Sequence, residues 1–545
     1  MSFLHGQISV EFTLCFLFFT TIFRKLFYYL SMLGMFCWIC HNFLCKMHKI
    51  RTRKLSKKAD FARAQSFQIE IARCSCYNQR TENGRKETCK HFHSRRDAMK
   101  KKTRQTGLLL SVLMLATTSL YPVSAFAEET TEAPAEAVTE AAEKSDAKTL
   151  MTGNWAPATR ERIQSVIDAN ADSGRYVVFD FDNTSAIFDV EEALLAYQIE
   201  NLQFKIDPAA LGDILETQIP SLDEPVGKNL ADGDVTVANL VADLTSDYQW
   251  LYDNYEGFGA GGTYDLTYIH ATNQYEDFAA KLRYMYSAVG DTFDASVSYP
   301  WVTYLFTGMT PDEVYDLALA SHTYWANYGR YSKEVWTSPV ELEGECGVIT
   351  TSFITGITFT DELQDLYQTL MANNIDVYII SASFIDVIRA ANDNFGYNIP
   401  EDHVFAMRNV LKDGKYTKEY DYNWGGEGKC AQTQAAGKST TITNFIAPNY
   451  DGAGPLMVFG DSAGDWNMMT DWMESGDTQL GVIFNRYRKT SDPIWQGSTE
   501  AAESIGNADA RFVLQGRDEN HGQLRPSEYS ILLGETEEVL VRPAE

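Results

Sequence analysis

The stretch Tyr176-Val-Val-Phe-Asp180-Phe-Asp182-Asn-Thr184 constrains the fold more than any other part of the chain. Four consecutive apolar residues, Tyr176 to Phe179, predict a short strand buried on both faces. The strand ends in two carboxylates one residue apart. Such a polar tip is costly on a buried strand unless a cation or a substrate compensates it. Open α/β sheets bind ligands at the carboxyl ends of their strands, so this tip is where chemistry is expected.

Two further apolar strands end in polar groups. Val377-Tyr-Ile-Ile-Ser381-Ala-Ser383 ends in a hydroxyl, and Leu456-Met-Val-Phe-Gly460-Asp461-Ser-Ala-Gly-Asp465 ends in glycine and two carboxylates. Between them, Gly437-Lys438-Ser439 precedes Ile442, Phe445 and Ile446 at helical spacing. Strand–helix alternation argues for an α/β fold with a doubly wound, mostly parallel sheet. Asp, hydroxyl, Lys and paired Asp in that order resemble the four motifs of the haloacid dehalogenase (HAD) superfamily, over residues 151–545. The resemblance implies a Rossmann-like core. The long, mainly helical segment between the first and second motifs would then be a C1 cap that closes over the site.

The same resemblance assigns roles. Asp180 would be the nucleophile that forms an aspartyl phosphate, splitting hydrolysis into two easier displacements. Asp182 would protonate the leaving oxygen and then activate water, and a carboxylate at that position points to phosphatases within the superfamily. Ser381 and Thr184 would bind the phosphoryl group. Lys438 would neutralise its charge, with Lys429 in Gly428-Lys429-Cys430 as the rival. Mg²⁺ would be held by the Asp180 side chain, the Asp182 backbone carbonyl and Asp461, with Asp465 behind them. Gly437-Lys438-Ser439 is not a nucleotide-binding loop, because Gln432 stands where the earlier glycine is required.

Within the superfamily, Asp180-Phe-Asp-Asn-Thr-Ser185 continuing to Asp189-Val-Glu-Glu192-Ala-Leu-Leu looks like secreted bacterial phosphorylcholine phosphatases. That likeness makes Glu192 a candidate carboxylate for a quaternary ammonium. Aromatic faces serve the same purpose, and the expected cap is rich in them: Tyr248, Trp250, Tyr252, Tyr255, Tyr264 and Tyr268, then Tyr324, Trp325, Tyr328, Tyr331 and Trp336. The same rings serve equally to pack a helical lid.

Composition divides the chain near Ala127. Up to that residue there are 21 Lys+Arg against 6 Asp+Glu; beyond it there are 25 against 68. Met99-Lys-Lys-Lys-Thr-Arg, the apolar run Leu108 to Ala116 and the Ala125-Phe-Ala127 cleavage pattern make 99–127 a secretory signal peptide. Its position implies that translation starts at Met99 and that 1–98 is an upstream extension, or else a membrane segment. The mature chain would begin near Glu128, be exported, and keep Cys346 and Cys430, with a disulfide between them left open. Its acidity argues against nucleic-acid or stable membrane partners, and the small phosphate monoester expected as partner is what the resemblance implies. The expected layout is an acidic linker at 128–150, core at 151–192, cap at 193–360 and core again at 361–545.

Overall fold

The computed structural model describes residues 148–544. The upstream extension, the signal peptide and most of the linker therefore lie outside the described residues.

Alternation along the strands builds the core. Val177 and Phe179 of β1 (Tyr176–Phe179) point to one face with Val377, Ile379, Met457 and Phe459, while Tyr176 and Val178 point to the other with Tyr378, Ile380 and Val458. Both faces are apolar, so both must be covered. Helix α1 (Pro157–Asn170) presents Ile163, Val166 and Ile167 to the first face. Helices carrying Ile442, Ile446, Met468 and Met469 cover the second. Each fully buried Val, Ile or Phe contributes about 1.5–3 kcal/mol to this sandwich.

The other strands of the sheet are β2 (Asp376–Phe384), β3 (Val404–Met407), β4 (Met457–Gly460), β5 (Leu480–Phe484) and β6 (Phe512–Gln515). Their order is β6-β5-β4-β1-β2-β3 and every pairing is parallel. The chain runs outward from β1 through β2 and β3, then returns to β4 and runs outward the other way. The switch point therefore lies between β1 and β4, where a doubly wound sheet opens a crevice beyond its strand ends. The chain has the doubly wound α/β core expected of it.

The insertion after β1 has its own apolar cluster, running from Leu195 to Leu305 and joined by Cys346 and Ile349. Helices Val237–Asn254 and Asn273–Thr292 form its body. The packing does not follow the span 193–360 as one unit. Helix Pro311–Tyr328 carries Val314, Leu317, Ala318 and Trp325 on one face, and these join the sheet's cluster beside helix Ile385–Asn394. Core character thus returns at Phe306, well before Asp361. Cys346 and Cys430 are both free thiols. Among the described residues no helix is long and apolar enough to cross a membrane.

Candidate active site at the strand ends

Asp180 is the first residue beyond β1, and its N–H donates to Phe459 O at 2.9 Å, which continues the parallel ladder onto β4. The chain then turns sharply, with the N–H groups of Ser185 and Ala186 both on Phe181 O and Asn183 in the left-handed region at φ 60°. This turn aims Asp182 across to β2. Its Oδ2 accepts from Ser383 Oγ at 2.6 Å and its Oδ1 from Val190 N at 2.7 Å.

Lys438 Nζ donates to Asp180 Oδ1 at 2.6 Å and to Asp465 Oδ1 at 2.8 Å. The helix bearing it needs Gly437, because a Cβ there would lie 1.8 Å from Gln432 O. Lys429 is exposed and does not line the cavity, so Lys438 is the lysine of the site. Asp465 folds back on its own strand end, its Oδ2 accepting from Asp461 N at 2.9 Å and Ser462 N at 3.2 Å. Gly460 permits that, since a Cβ would meet Asp465 Cβ at 2.5 Å. Asp461 Oδ2 in turn accepts from Arg486 Nη1 at 2.7 Å.

These groups open onto a cavity of about 390 Å³. Seven carboxylates line it, Asp291 of the insertion included, against two cations, Lys438 and Arg486. The electrostatics follow from that imbalance. Burial, and then Asp465, hold the Asp180 carboxyl well above the ordinary carboxylate range, with Lys438 opposing. Burial and then Asp189 raise Asp182 as well. Burial works against the charge on Lys438, but Asp180 and Asp465 outweigh it and hold the ammonium above its usual value. One ligand oxygen from each of Asp180, Asp461 and Asp465 lies within 4.8 Å of the other two. Oxygen donors at this density, with excess negative charge, fit a hard divalent cation. Asp465 is the most heavily committed of the three, its oxygens accepting from Lys438 and from two backbone N–H groups. Asp180 Oδ2 has only the 3.4 Å contact from Thr184, and Asp461 gives one oxygen to Arg486, so these two are the carboxylates better placed to hold it.

Not every expected residue faces this cavity. Ser381 is fully buried, with its hydroxyl turned toward Asp182 Oδ2 at 3.3 Å. Strand β2 continues to Phe384, and Ser383, on the same face two residues on, reaches the cavity in its place. Thr184 is buried with its Oγ1 3.4 Å from Asp180 Oδ2, and does not line the cavity. Glu192 is ion-paired with Arg283, which also sits 5.0 Å over the Tyr286 ring. Its neighbour Glu191 lines the cavity instead. Glu191 Oε2 accepts from Phe384 N at 2.9 Å while the buried Oε1 has no hydrogen-bond partner among the described residues. Burial and then Asp189 push its carboxyl up to about 8.

None of the eleven aromatics singled out in the expected cap lines the cavity. Tyr248 stacks on Phe278 inside the insertion's cluster, and Tyr264 and Tyr268 stack on each other at the surface. The cavity's aromatic walls are Tyr286 and Tyr299. Arg486 had a signal available, because it follows the apolar strand Leu480–Phe484 as the carboxylates follow β1 and β4. Tyr286 and Tyr299 had none.

No protein-family model matches the chain. Over 268 residues it is 27% identical to the phosphorylcholine phosphatase of Pseudomonas aeruginosa, covering 48% of this chain and 57% of that enzyme. With the four motifs at the ends of β1, β2 and β4 and on the intervening helix, this match supports a HAD superfamily assignment. It spans little more than half the length of that curated relative. A solved structure from Anaerococcus prevotii, described as a conserved protein of unknown function, superposes with a TM-score of 0.63 at 31% identity, covering 70% of this chain and 98% of the other. In HAD terms, Asp180 and Asp182 stand at the first motif, Ser381 at the second, Lys438 at the third, and Asp461 and Asp465 at the fourth.

Proposed function

We propose that the protein is an exported, Mg²⁺-dependent phosphomonoesterase that works through an aspartyl phosphate and prefers phosphocholine. The observation that carries the reaction is the convergence of Asp180, Asp182, Lys438 and Asp461 on one cavity at the switch point of the sheet. An Asp180 oxygen attacks phosphorus, the ester P–O bond breaks, and the leaving oxygen takes the proton from Asp182. Water then attacks the aspartyl phosphate and gives a proton to Asp182, and the P–O bond to Asp180 breaks, releasing phosphate and restoring both carboxyls. Lys438 holds Asp180 in line. Asp180, Asp461 and the Asp182 carbonyl would hold Mg²⁺, which neutralises charge on the phosphoryl oxygens. Export is supported by the signal-peptide pattern at 99–127.

Phosphocholine is supported by what the cavity offers beyond the phosphoryl site. A trimethylammonium donates no ordinary hydrogen bond and is held by aromatic faces and carboxylates. Tyr286, Tyr299, Glu191 and Asp291 supply both. The relative that hydrolyses phosphorylcholine supports the same substrate class. Assaying p-nitrophenyl phosphate with and without EDTA tests the reaction, and phosphocholine against phosphoserine and glycerol phosphate tests the preference. Turnover that survives EDTA would remove the metal, equal kcat/KM across the panel would remove phosphocholine, and no turnover of any ester would leave a binding protein.

A further inference from the structure

Beyond the four motifs, one buried cation touches the catalytic turn. Arg517 begins a small four-stranded sheet after β6 and is only 1% exposed. Its Nη1 donates to Asn183 O at 3.2 Å and its Nη2 to the Asn183 side-chain oxygen at 3.1 Å. Glu519 holds the guanidinium from behind, accepting from Nε at 3.0 Å and from Nη2 at 2.6 Å, and is itself fixed by Leu533 N at 2.9 Å. The ring of Phe188, whose carbonyl accepts from Asn183 N at 3.1 Å, lies 5.9 Å from the guanidinium.

Asn183 is the pivot of the turn. It is the left-handed residue immediately after Asp182 and lines the cavity. Asn enters the left-handed region more readily than other residues with a side chain, which suits it to this turn, and its surroundings then fix the turn's orientation. A planar guanidinium that grips both oxygens of one residue enforces it as a single donor cannot. Burying an Arg–Glu pair adds little stability compared with apolar residues of the same volume, so stability alone is a poor reason to keep one here.

We propose that Arg517 is a positioning residue for the phosphoryl transfer: by clamping Asn183 it sets the direction in which Asp182 faces the leaving oxygen, without itself touching substrate. The proposal rests on the phosphomonoesterase reading. It predicts a larger defect in turnover than in binding, because Asp180, Lys438 and Asp461 are anchored to β1, β4 and the Lys438 helix. The Asp182 carbonyl, the remaining candidate Mg²⁺ ligand, belongs to the turn, so binding is compared at saturating Mg²⁺.

The test compares wild type, Arg517→Lys and Arg517→Met on p-nitrophenyl phosphate, with inorganic phosphate as competitive inhibitor and circular dichroism for the folded fraction. A misplaced catalytic group costs up to about a hundredfold in rate, so we expect kcat to fall on the order of 100-fold in Arg517→Met and about tenfold in Arg517→Lys. The inhibition constant of phosphate should stay within about threefold of wild type in both variants, since an interaction needed only for the transition state leaves ground-state binding alone. A folded Arg517→Lys protein with wild-type kcat would overturn the proposal, as would a kcat that falls only in proportion to the folded fraction. If Arg517→Met does not fold, Arg517→Lys decides alone. A wild-type protein with no phosphatase activity would instead sink the phosphomonoesterase reading.

Discussion

At the scale of single residues, the site is a problem of too much negative charge in too little water. Asp180 is tolerable beyond a buried strand because Lys438 lies 2.6 Å from one oxygen and the Thr184 hydroxyl of the turn lies 3.4 Å from the other. We predict that Asp180→Asn reduces kcat to background while leaving phosphate-ester binding measurable, since an amide keeps the shape but cannot attack phosphorus. Calorimetric titration with phosphocholine, alongside a rate assay, checks both halves. Glu191 lines the cavity, so it is the carboxylate placed to meet a cation there, whereas Glu192 is already spent on Arg283. Glu191→Gln should lower kcat/KM for phosphocholine about tenfold and leave p-nitrophenyl phosphate within about twofold. Because the Glu191 carboxyl is pushed up to about 8, it is neutral at lower pH and gains its charge as pH rises through that value. The KM for phosphocholine should therefore fall between pH 6 and 9 in wild type, and that trend should vanish in Glu191→Gln.

At the scale of elements, the two long helices of the insertion are joined by a buried ionic hub. Lys281 Nζ donates to Asp277 Oδ2 at 2.7 Å, to Asp243 Oδ2 at 2.8 Å and to Glu343 O at 3.0 Å. Asp243 also accepts from the N–H groups of Glu345 and Cys346, tying the later return segment to the helices. One turn along, Asp247 faces Asp277 with no cation of its own, and burial and then Asp277 push its carboxyl up to about 9. The folded state therefore keeps a proton that the unfolded chain releases near pH 4. The stability this contributes is complete below pH 4 and is lost as pH rises toward 9. Asp247→Asn mimics the protonated form and does not titrate. Its melting temperature should exceed that of wild type by about 2 °C or more at pH 8, with the gap closing toward pH 4. A gap that does not change with pH would mean that Asp247 is ionised in the folded protein.

At the scale of the whole molecule, the chain carries a net charge of −28 and concentrates seven carboxylates around one cavity. A ligand that binds only the folded state stabilises it in proportion to the logarithm of its concentration over its dissociation constant. Millimolar Mg²⁺ should therefore raise the melting temperature of the wild-type protein, and EDTA should reverse it. Asp461→Asn, which removes one carboxylate ligand, should abolish most of that shift. Monovalent salt at equal ionic strength should not reproduce the shift, which separates a specific site from general screening.

Much of this was written locally. Apolar runs of four or five residues ending in Asp180, Asp461 or the 381–383 hydroxyls specify strands by hydrophobicity and place polar groups at their ends, whatever lies elsewhere in the chain. The doubly wound core follows from those runs and their order, and the set Asp180, Asp182, Lys438, Asp461 and Asp465 from the resemblance of the ordered motifs to the HAD superfamily. The choice between neighbours was decided in three dimensions. Glu191 and Glu192 differ by about 100° around one helix, and only the docking of that helix against β2 on one side and Arg283 on the other sends the first to the cavity and the second away. Ser383 displaces Ser381 because β2 runs further than its apolar residues alone imply. Tyr286 and Tyr299 reach the cavity, and Arg517 reaches Asn183, across more than a hundred residues of chain. Contacts of that range depend on how whole faces pack, and no short stretch of sequence encodes how whole faces pack.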